Sequence, residues 1–313
     1  MRVRVAAVIV ATLLVAAGVS AGIIWRQHQV RQAALRVPVR GGDGGGLPLA
    51  QPADEHFDGA GLERVVKDPA AAGLQVFIVM RHGHVVFARY GHGFSADRVI
   101  DPGGFARALV ALAAGVAIRS GTLVALPPGR FDPAKLRAAI ERGAHQSYAA
   151  YVSRVLWRRL NAGSAWIRLP AAGAALPADC CFEARVQDWM RIGALLVNDG
   201  SFEDTQVIPR GWVARMRAPV SEDGLQGMGV ELPSHAPSAR ALEASDLIFL
   251  RGNGRWRLWV VPSLKLVVLF GAPAGGRDSG WDEIRLPNLV IEALTERPPA
   301  PAGSLLQQLV HGH

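Results

Sequence analysis

Apolar positions fall in blocks whose period changes along the chain. Residues 74–91, LQVFIVMRHGHVVFARYG, alternate and break at Gly83, which predicts a β-hairpin. Residues 101–120, DPGGFARALVALAAGVAIRS, are apolar on all sides and predict one buried helix, with Asp101 as cap and Pro102 in the first turn. Before them, GLERVVKDPAAAG reads as a short helix that stops. PAKLRAAIERGAHQSYAAYVSRVLWRRLNA gives one or two helices. EARVQDWMRIGALLVNDG is an amphipathic helix closed by Asn-Asp-Gly, and IPRGWVARMRAP is a short helix. DLIFLRGNGRWRLWVVPSLKLVVLFGA reads as two apolar strands broken at Pro262-Ser263, a second hairpin, and WDEIRLPNLVIEALTE closes with a helix. Strand pairs near both ends with helices between them predict an α+β fold, one antiparallel sheet built from both halves and flanked by helices. No internal repeat is visible.

The first 60 residues follow other rules. VAAVIVATLLVAAGVSAGIIW (5–25) is 21 residues without a charge, long enough to span hydrocarbon as a helix. Val19-Ser20-Ala21 would serve as a signal-peptide cleavage site, so residues 1–25 are a membrane anchor or a signal peptide. The apolar run continuing to Ile23-Ile24-Trp25 and the Trp-Arg pair at its end favour the anchor. Residues 26–60 contain GGDGGGLPLAQPADE and read as a flexible linker, 61–298 as the folded domain and 299–313 as a disordered tail.

Charge changes the picture only through its distribution. The chain carries +8, but residues 1–40 hold Arg2, Arg4, Arg26, Arg31, Arg36 and Arg40 and no acid. The remainder is within two charges of neutrality, which removes the main support for a nucleic-acid partner. The basic excess flanks the apolar segment, where anionic headgroups would meet it. Four arginines follow that segment and two precede it, so the positive-inside count by itself puts the domain in the cytoplasm; large translocated domains often disregard it. Cys180 and Cys181 are the only cysteines and are adjacent, so two small buried thiols are expected. His82 and His84 flank the hairpin turn and His92 follows; they read as exposed turn residues or as a weak metal set. Ser95 and Ser120 lie in a loop and at a helix end, poor places for a nucleophile. Asp188-Trp189 and Trp281-Asp282 read as packing and cap positions. Arg154, Arg158 and Arg159 form either a solvated helix face or a contact for headgroups or cell-wall polymer. His311 and His313 lie in the tail. No metal and no cofactor is expected.

Four stretches in order, VFIVMRHGHVVFARYGHG, ARALVALAAGVAIRSGTL, CCFEARVQDWMRIGALLVNDGSFEDTQVIPRGWVARMRAP and RGNGRWRLWVVPSLKLVVLFG, resemble the serine β-lactamase-like hydrolases. The likeness is to the class C-type branch with its esterases, D-aminopeptidases and aminohexanoate-oligomer hydrolases, and runs from about Leu74 to Leu294. It implies a β-lactamase/transpeptidase-like fold, here with a reduced helical lobe. It also implies a serine at the head of the second stretch with a lysine one turn on, S-x-x-K. Counting back from AAGVAIRSG, Gly104-Phe105-Ala106-Arg107 stands there instead. Gly104 has no nucleophile, and Arg107 keeps its proton where a lysine can lose one. The family's Gly-His-Gly-Gly-Gln is matched by Gly252-Asn253-Gly254-Arg255-Trp256, and its Tyr-x-Asn element is missing unless Tyr148-Ala149-Ala150 stands for it.

Segment 5–25 supplies the membrane tether, and the resemblance implies an extracytoplasmic homologue without catalytic residues. It would sit in the bacterial inner membrane by a single pass, with its domain in the periplasm. Gly104, Arg107, Asn253, Gly254 and Arg255 are expected to line the vestigial pocket. With the helix-head N–H groups, Arg107 and Arg255 would make it anion-accepting, unless both arginines pair with acids or face water. Such a protein would bind a cell-wall fragment or an envelope protein. The alternatives are an active amidase- or esterase-type hydrolase with an unrecognised nucleophile, and a structural spacer on a membrane helix.

Overall fold

The computed structural model describes residues 35–171, 174–233, 244–275 and 281–296. The expected anchor, the first part of the expected linker and the expected tail lie outside the described residues. Among the described residues no helix is long and apolar enough to cross a membrane.

In chain order the elements are β1 (Arg36–Val39), α1 (Gly59–Val65), β2 (Val76–Arg81), β3 (His84–Tyr90), β4 (Val99–Ile100), α2 (Ala106–Arg119), α3 (Pro133–Ala144) and α4 (Tyr148–Val152). There follow β5 (Ala165–Arg168), β6 (Phe182–Arg185), α5 (Val186–Val197), β7 (Ser201–Phe202), β8 (Thr205–Gln206), α6 (Trp212–Arg217), β9 (Ile248–Arg251), β10 (Arg257–Val261), β11 (Leu266–Gly271) and α7 (Arg285–Glu292). The main sheet is antiparallel in the order β3-β2-β11-β10-β9, so strands from both halves of the chain meet at β2 and β11.

Both faces of this sheet are covered. Ile78, Met80, Leu258, Val260, Val267 and Leu269 face the core that holds α2 and α5. Their neighbours Phe77, Val79, Trp259, Val261, Val268 and Phe270 face a second core with α1 and α7. Two covered faces explain why these strands read as continuous apolar runs. Helix α2 runs inside the first core with 11 of its 14 residues buried. Two glycines set close approaches to that layer. A Cβ on Gly115 would fall 2.7 Å from the Trp212 ring, and one on Gly193 would meet Val267 on β11. Trp212 lies over Gly115 and donates its indole N–H to the Ala111 carbonyl, 3.0 Å. This contact locks the Trp-Val segment of α6 onto α2.

The structure corrects three expectations. Residues 35–60 are not a free tether: β1 pairs with β5 at the edge of a second sheet, β1-β5-β6-β4, and Val39 and Phe57 are buried. The last apolar block holds three strands, because Gly252–Trp256 turns the chain between β9 and β10. Cys180 and Cys181 are half-buried and joined by a disulfide. Cys181 takes a left-handed φ of 69°. Its N–H is held by Asp101 Oδ1 at 3.2 Å.

Glu55 fastens the early segment to the sheet. Its Oε2 lies 2.6 Å from His82 Nδ1 and its Oε1 2.9 Å from His84 Nδ1. Burial alone would raise the Glu55 pKa, but hydrogen bonds and charge from the two histidines outweigh it and hold the carboxyl below its usual range. A depressed carboxylate stabilises the fold above its unfolded pKa, and that contribution fades as pH falls through the folded value. Wild-type stability in urea is therefore expected to drop below about pH 4.5 more steeply than that of Glu55→Gln. The variant should already be about 1–2 kcal/mol weaker at pH 7. Thiol titration of the unfolded, unreduced chain should find no free cysteine, and reduction should release both.

Candidate functional site

The site is the junction between the head of α2 and the β9–β10 turn. Asp101 Oδ1 accepts the Gly103 N–H at 3.0 Å, as its cap position predicts, but regular helix begins only at Ala106. Residues 103–105 form a tighter first turn, with Ala106 N–H on the Gly103 carbonyl and Arg107 N–H on that of Gly104, both 3.1 Å. Gly103 needs its freedom twice. Its φ is +70°, and a Cβ there would lie 2.5 Å from the Asn253 side chain.

At Gly104 the obstacle is main chain. A Cβ on this residue would come well within 3.0 Å of the Arg251 carbonyl oxygen. The helix head and the turn are also bonded directly, Asn253 N–H to the Pro102 carbonyl at 2.9 Å. The place where the resemblance puts a nucleophile is thus occupied by backbone.

Of the five residues expected to line a pocket, only Arg107 lines the neighbouring cleft; Gly104 and Asn253 are packed into the junction itself. The other two lie away from it. Gly254 backs onto the 272–274 segment with φ +54°. Arg255 is buried and turns away from the helix head. It donates to the carbonyls of Pro273 (3.0 Å), Ala70 (3.1 Å) and Ala72, and stacks near the Phe270 and Trp281 rings. Burial lowers its pKa from the ordinary arginine value. It staples the turn to the α1–β2 connection.

Beside the junction lies a cleft of about 690 Å³. Arg107 Nη2 stands 3.5 Å from Glu231 Oε1, and Glu231 also faces Arg251 at 3.9 Å. Arg251 reaches Glu283 at 2.6 Å, and Arg257 grips the same carboxylate with Nε and Nη2, both 2.6 Å. Burial would raise the Glu283 pKa, but the Arg257 hydrogen bonds and the charges of Arg257 and Arg251 hold it low. Glu283 is therefore an ionised counter-charge at neutral pH. Arg107 is neutralised in the same chain of alternating charges. Of the two readings of Arg107, pairing with an acid is the one observed. The anion-accepting pocket does not form, because Glu231, Glu283, Asp282 and Asp223 outnumber Arg107 and Arg251 in the described lining. That lining contains no serine, threonine, tyrosine, cysteine, lysine or histidine.

The remaining candidates lie elsewhere. Tyr148 packs in the core beside Arg137 and Glu141, and burial pushes its phenol upward. Asp188 is fully buried between Arg185 and Arg191 and accepts the Gly163 N–H, a structural knot at the start of α5. Trp281 stacks on Phe270, and Asp282 caps Ile284. Ser120 bonds within its own turn, and Ser95 and His92 are exposed. His82 and His84 share Glu55. Among the described residues no three histidine, cysteine, aspartate or glutamate groups converge on a metal position. Sequence reasoning missed Glu231 and Glu283, which stand more than 120 residues from Arg107 in the chain and carry no local signal.

This geometry defines the fold class: an antiparallel sheet between helices, of the serine β-lactamase and penicillin-binding-protein type. Comparison with solved structures gives the same answer. A protein from Bacillus anthracis assigned as a 6-aminohexanoate-dimer hydrolase superposes with a TM-score of 0.61 at 14% identity, over 82% of this chain and 90% of that one. A β-lactamase from Mycobacterium bovis gives 0.58 at 14%, over 76% and 100%. A class C β-lactamase from Rhodobacter sphaeroides gives 0.53 at 14%, over 74% and 97%. No family model and no curated protein matches the sequence.

Gly104→Ala should destabilise the fold by about 1–3 kcal/mol in urea, because strand backbone cannot yield as a side chain can. An unchanged midpoint would show that the junction is open.

Proposed function

We propose that this chain is a catalytically silent relative of the serine β-lactamase-like hydrolases, which acts by binding rather than by covalent chemistry. One observation carries the reading: the position for the nucleophile holds glycine, and the Arg251 carbonyl stands where its side chain would go. Acyl transfer in this fold needs an activated hydroxyl at the helix head, and neither the hydroxyl nor a base that can lose a proton is present. Of the carboxylates in the described cleft, Glu231 and Glu283 are held as counter-ions to arginines, while Asp223 and Asp282 accept the backbone N–H groups of Leu225 and Ile284.

The proposed setting is the outer face of a bacterial inner membrane, with residues 5–25 as the tether. The uncharged length of that segment supports this, as does the half-buried Cys180–Cys181 disulfide, a bond that persists in oxidising compartments. The cleft beside Arg107 is the proposed binding site, and its excess of carboxylates suits a cell-wall fragment or envelope protein that presents an amine.

The full chain, treated with a fluorescent penicillin and with a fluorophosphonate, should take up neither label and should leave nitrocefin and p-nitrophenyl esters intact. The double variant Gly104→Ser/Arg107→Lys should remain unlabelled as well. Stoichiometric labelling of the wild type at any described residue would overturn the reading.

A further inference from the structure

A second recess lies away from the cleft, between β1 and α4. Its volume is about 430 Å³, and Arg40, Arg154 and Arg158 line it together with Pro38, Ser147 and Ser153. No carboxylate is in the lining. The two elements are joined where the Arg40 N–H donates to Ser153 Oγ at 2.9 Å. Arg40 continues the exposed face of the edge strand; Arg154 follows α4 on a wide helical turn, Ser153–Trp157, and Arg158 opens the 3₁₀ turn after it. All three arginines are exposed.

Their gathering around one recess without an acid in its lining sets them apart. Other arginines of the fold meet acids: Arg36 meets Glu183, Arg185 and Arg191 meet Asp188, Arg257 meets Glu283 and Arg285 meets Asp68. Among the described residues Arg40, Arg154 and Arg158 form no ion pair; Arg154 lies only over the Tyr151 ring, 5.4 Å away. Three like charges around one recess repel one another unless an anion is supplied from outside.

The chain itself says which anion. Arg36, the first residue of β1, follows the uncharged segment 5–25 by only ten intervening residues. Even fully extended, these reach about 35 Å. A domain on so short a leash keeps the β1 edge near the bilayer, and headgroup phosphates present several accepting oxygens to which planar guanidinium groups bind in pairs of hydrogen bonds. We propose that the Arg40–Arg154–Arg158 recess docks the domain on anionic phospholipid headgroups of the membrane that tethers it. The proposal rests on the tether of the preceding section.

The test uses the full chain in nanodiscs of neutral phosphatidylcholine, alone or mixed with anionic phosphatidylglycerol. Modification of each arginine by phenylglyoxal is followed by mass spectrometry. Arg40, Arg154 and Arg158 should react about fivefold more slowly on the anionic discs, the factor expected for one cation near such a surface. Arg64 and Arg210 should not change, and added salt should abolish the difference. In Arg154→Gln/Arg158→Gln, Arg40 should lose most of its protection. Equal rates on both discs, with the chain retained by both, would overturn the docking and leave the tether standing. A chain that neutral discs do not retain would overturn the tether and the docking with it. Equal protection on neutral discs by added inorganic phosphate or a soluble polyanion would mark a site for a free anion or polymer, and would also overturn the proposal.

Discussion

The burial of one helix governs the rest of the molecule. Helix α2 is enclosed on all sides, between the main sheet, the helices beside it and the Trp212 ring that lies over Gly115. A helix held this way has no room to slide or roll, because interiors are packed as densely as organic crystals. Its first turn therefore ends at one place, against the β9–β10 turn. The contact of Asn253 with Pro102 follows from that position, as does the approach of the Arg251 carbonyl to Gly104. The charges beside the junction are arranged by the same sheet edge. Arg251 and Arg257 pair across β9 and β10, and both reach Glu283.

Much of the fold was legible because its signals are local. Alternation and a glycine turn at 83 mark β2 and β3, and the all-round apolar character of 108–118 marks a buried helix. The amphipathic run that became α5 and the tryptophan that opens α6 were equally plain. Elements joined only by distant partners were not. Arg36–Val39 is too short, and interrupted by Pro38, to read as a strand; it becomes one because β5, over 120 residues later, offers an edge. The turn at 252–256 was hidden inside a long apolar stretch, since strands covered on both faces lose the alternation that would mark their ends.

The site shows the same division. The missing hydroxyl at Gly104 and the fixed charge of Arg107 could be read directly, since residue type alone decides them. The direction of Arg255 could not. Three main-chain carbonyls and two aromatic rings, all remote in sequence, draw it to the far side of the turn. The acids that balance Arg107 likewise come from segments that local spacing cannot connect. An arginine in a pocket-forming stretch is thus a poor guide to the sign of that pocket until its counter-ions are known.

The closure at Gly104 is made by a peptide carbonyl, and this separates it from a pocket blocked by a side chain. An obstructing side chain can be trimmed by a single codon change, whereas a carbonyl belongs to every possible sequence of the strand. A hydroxyl-bearing residue at this position requires the β9–β10 turn to withdraw first, with Pro102, Asn253 and Arg251 moving together. The residue type tolerated at position 104 is thus set by the path of a neighbouring strand.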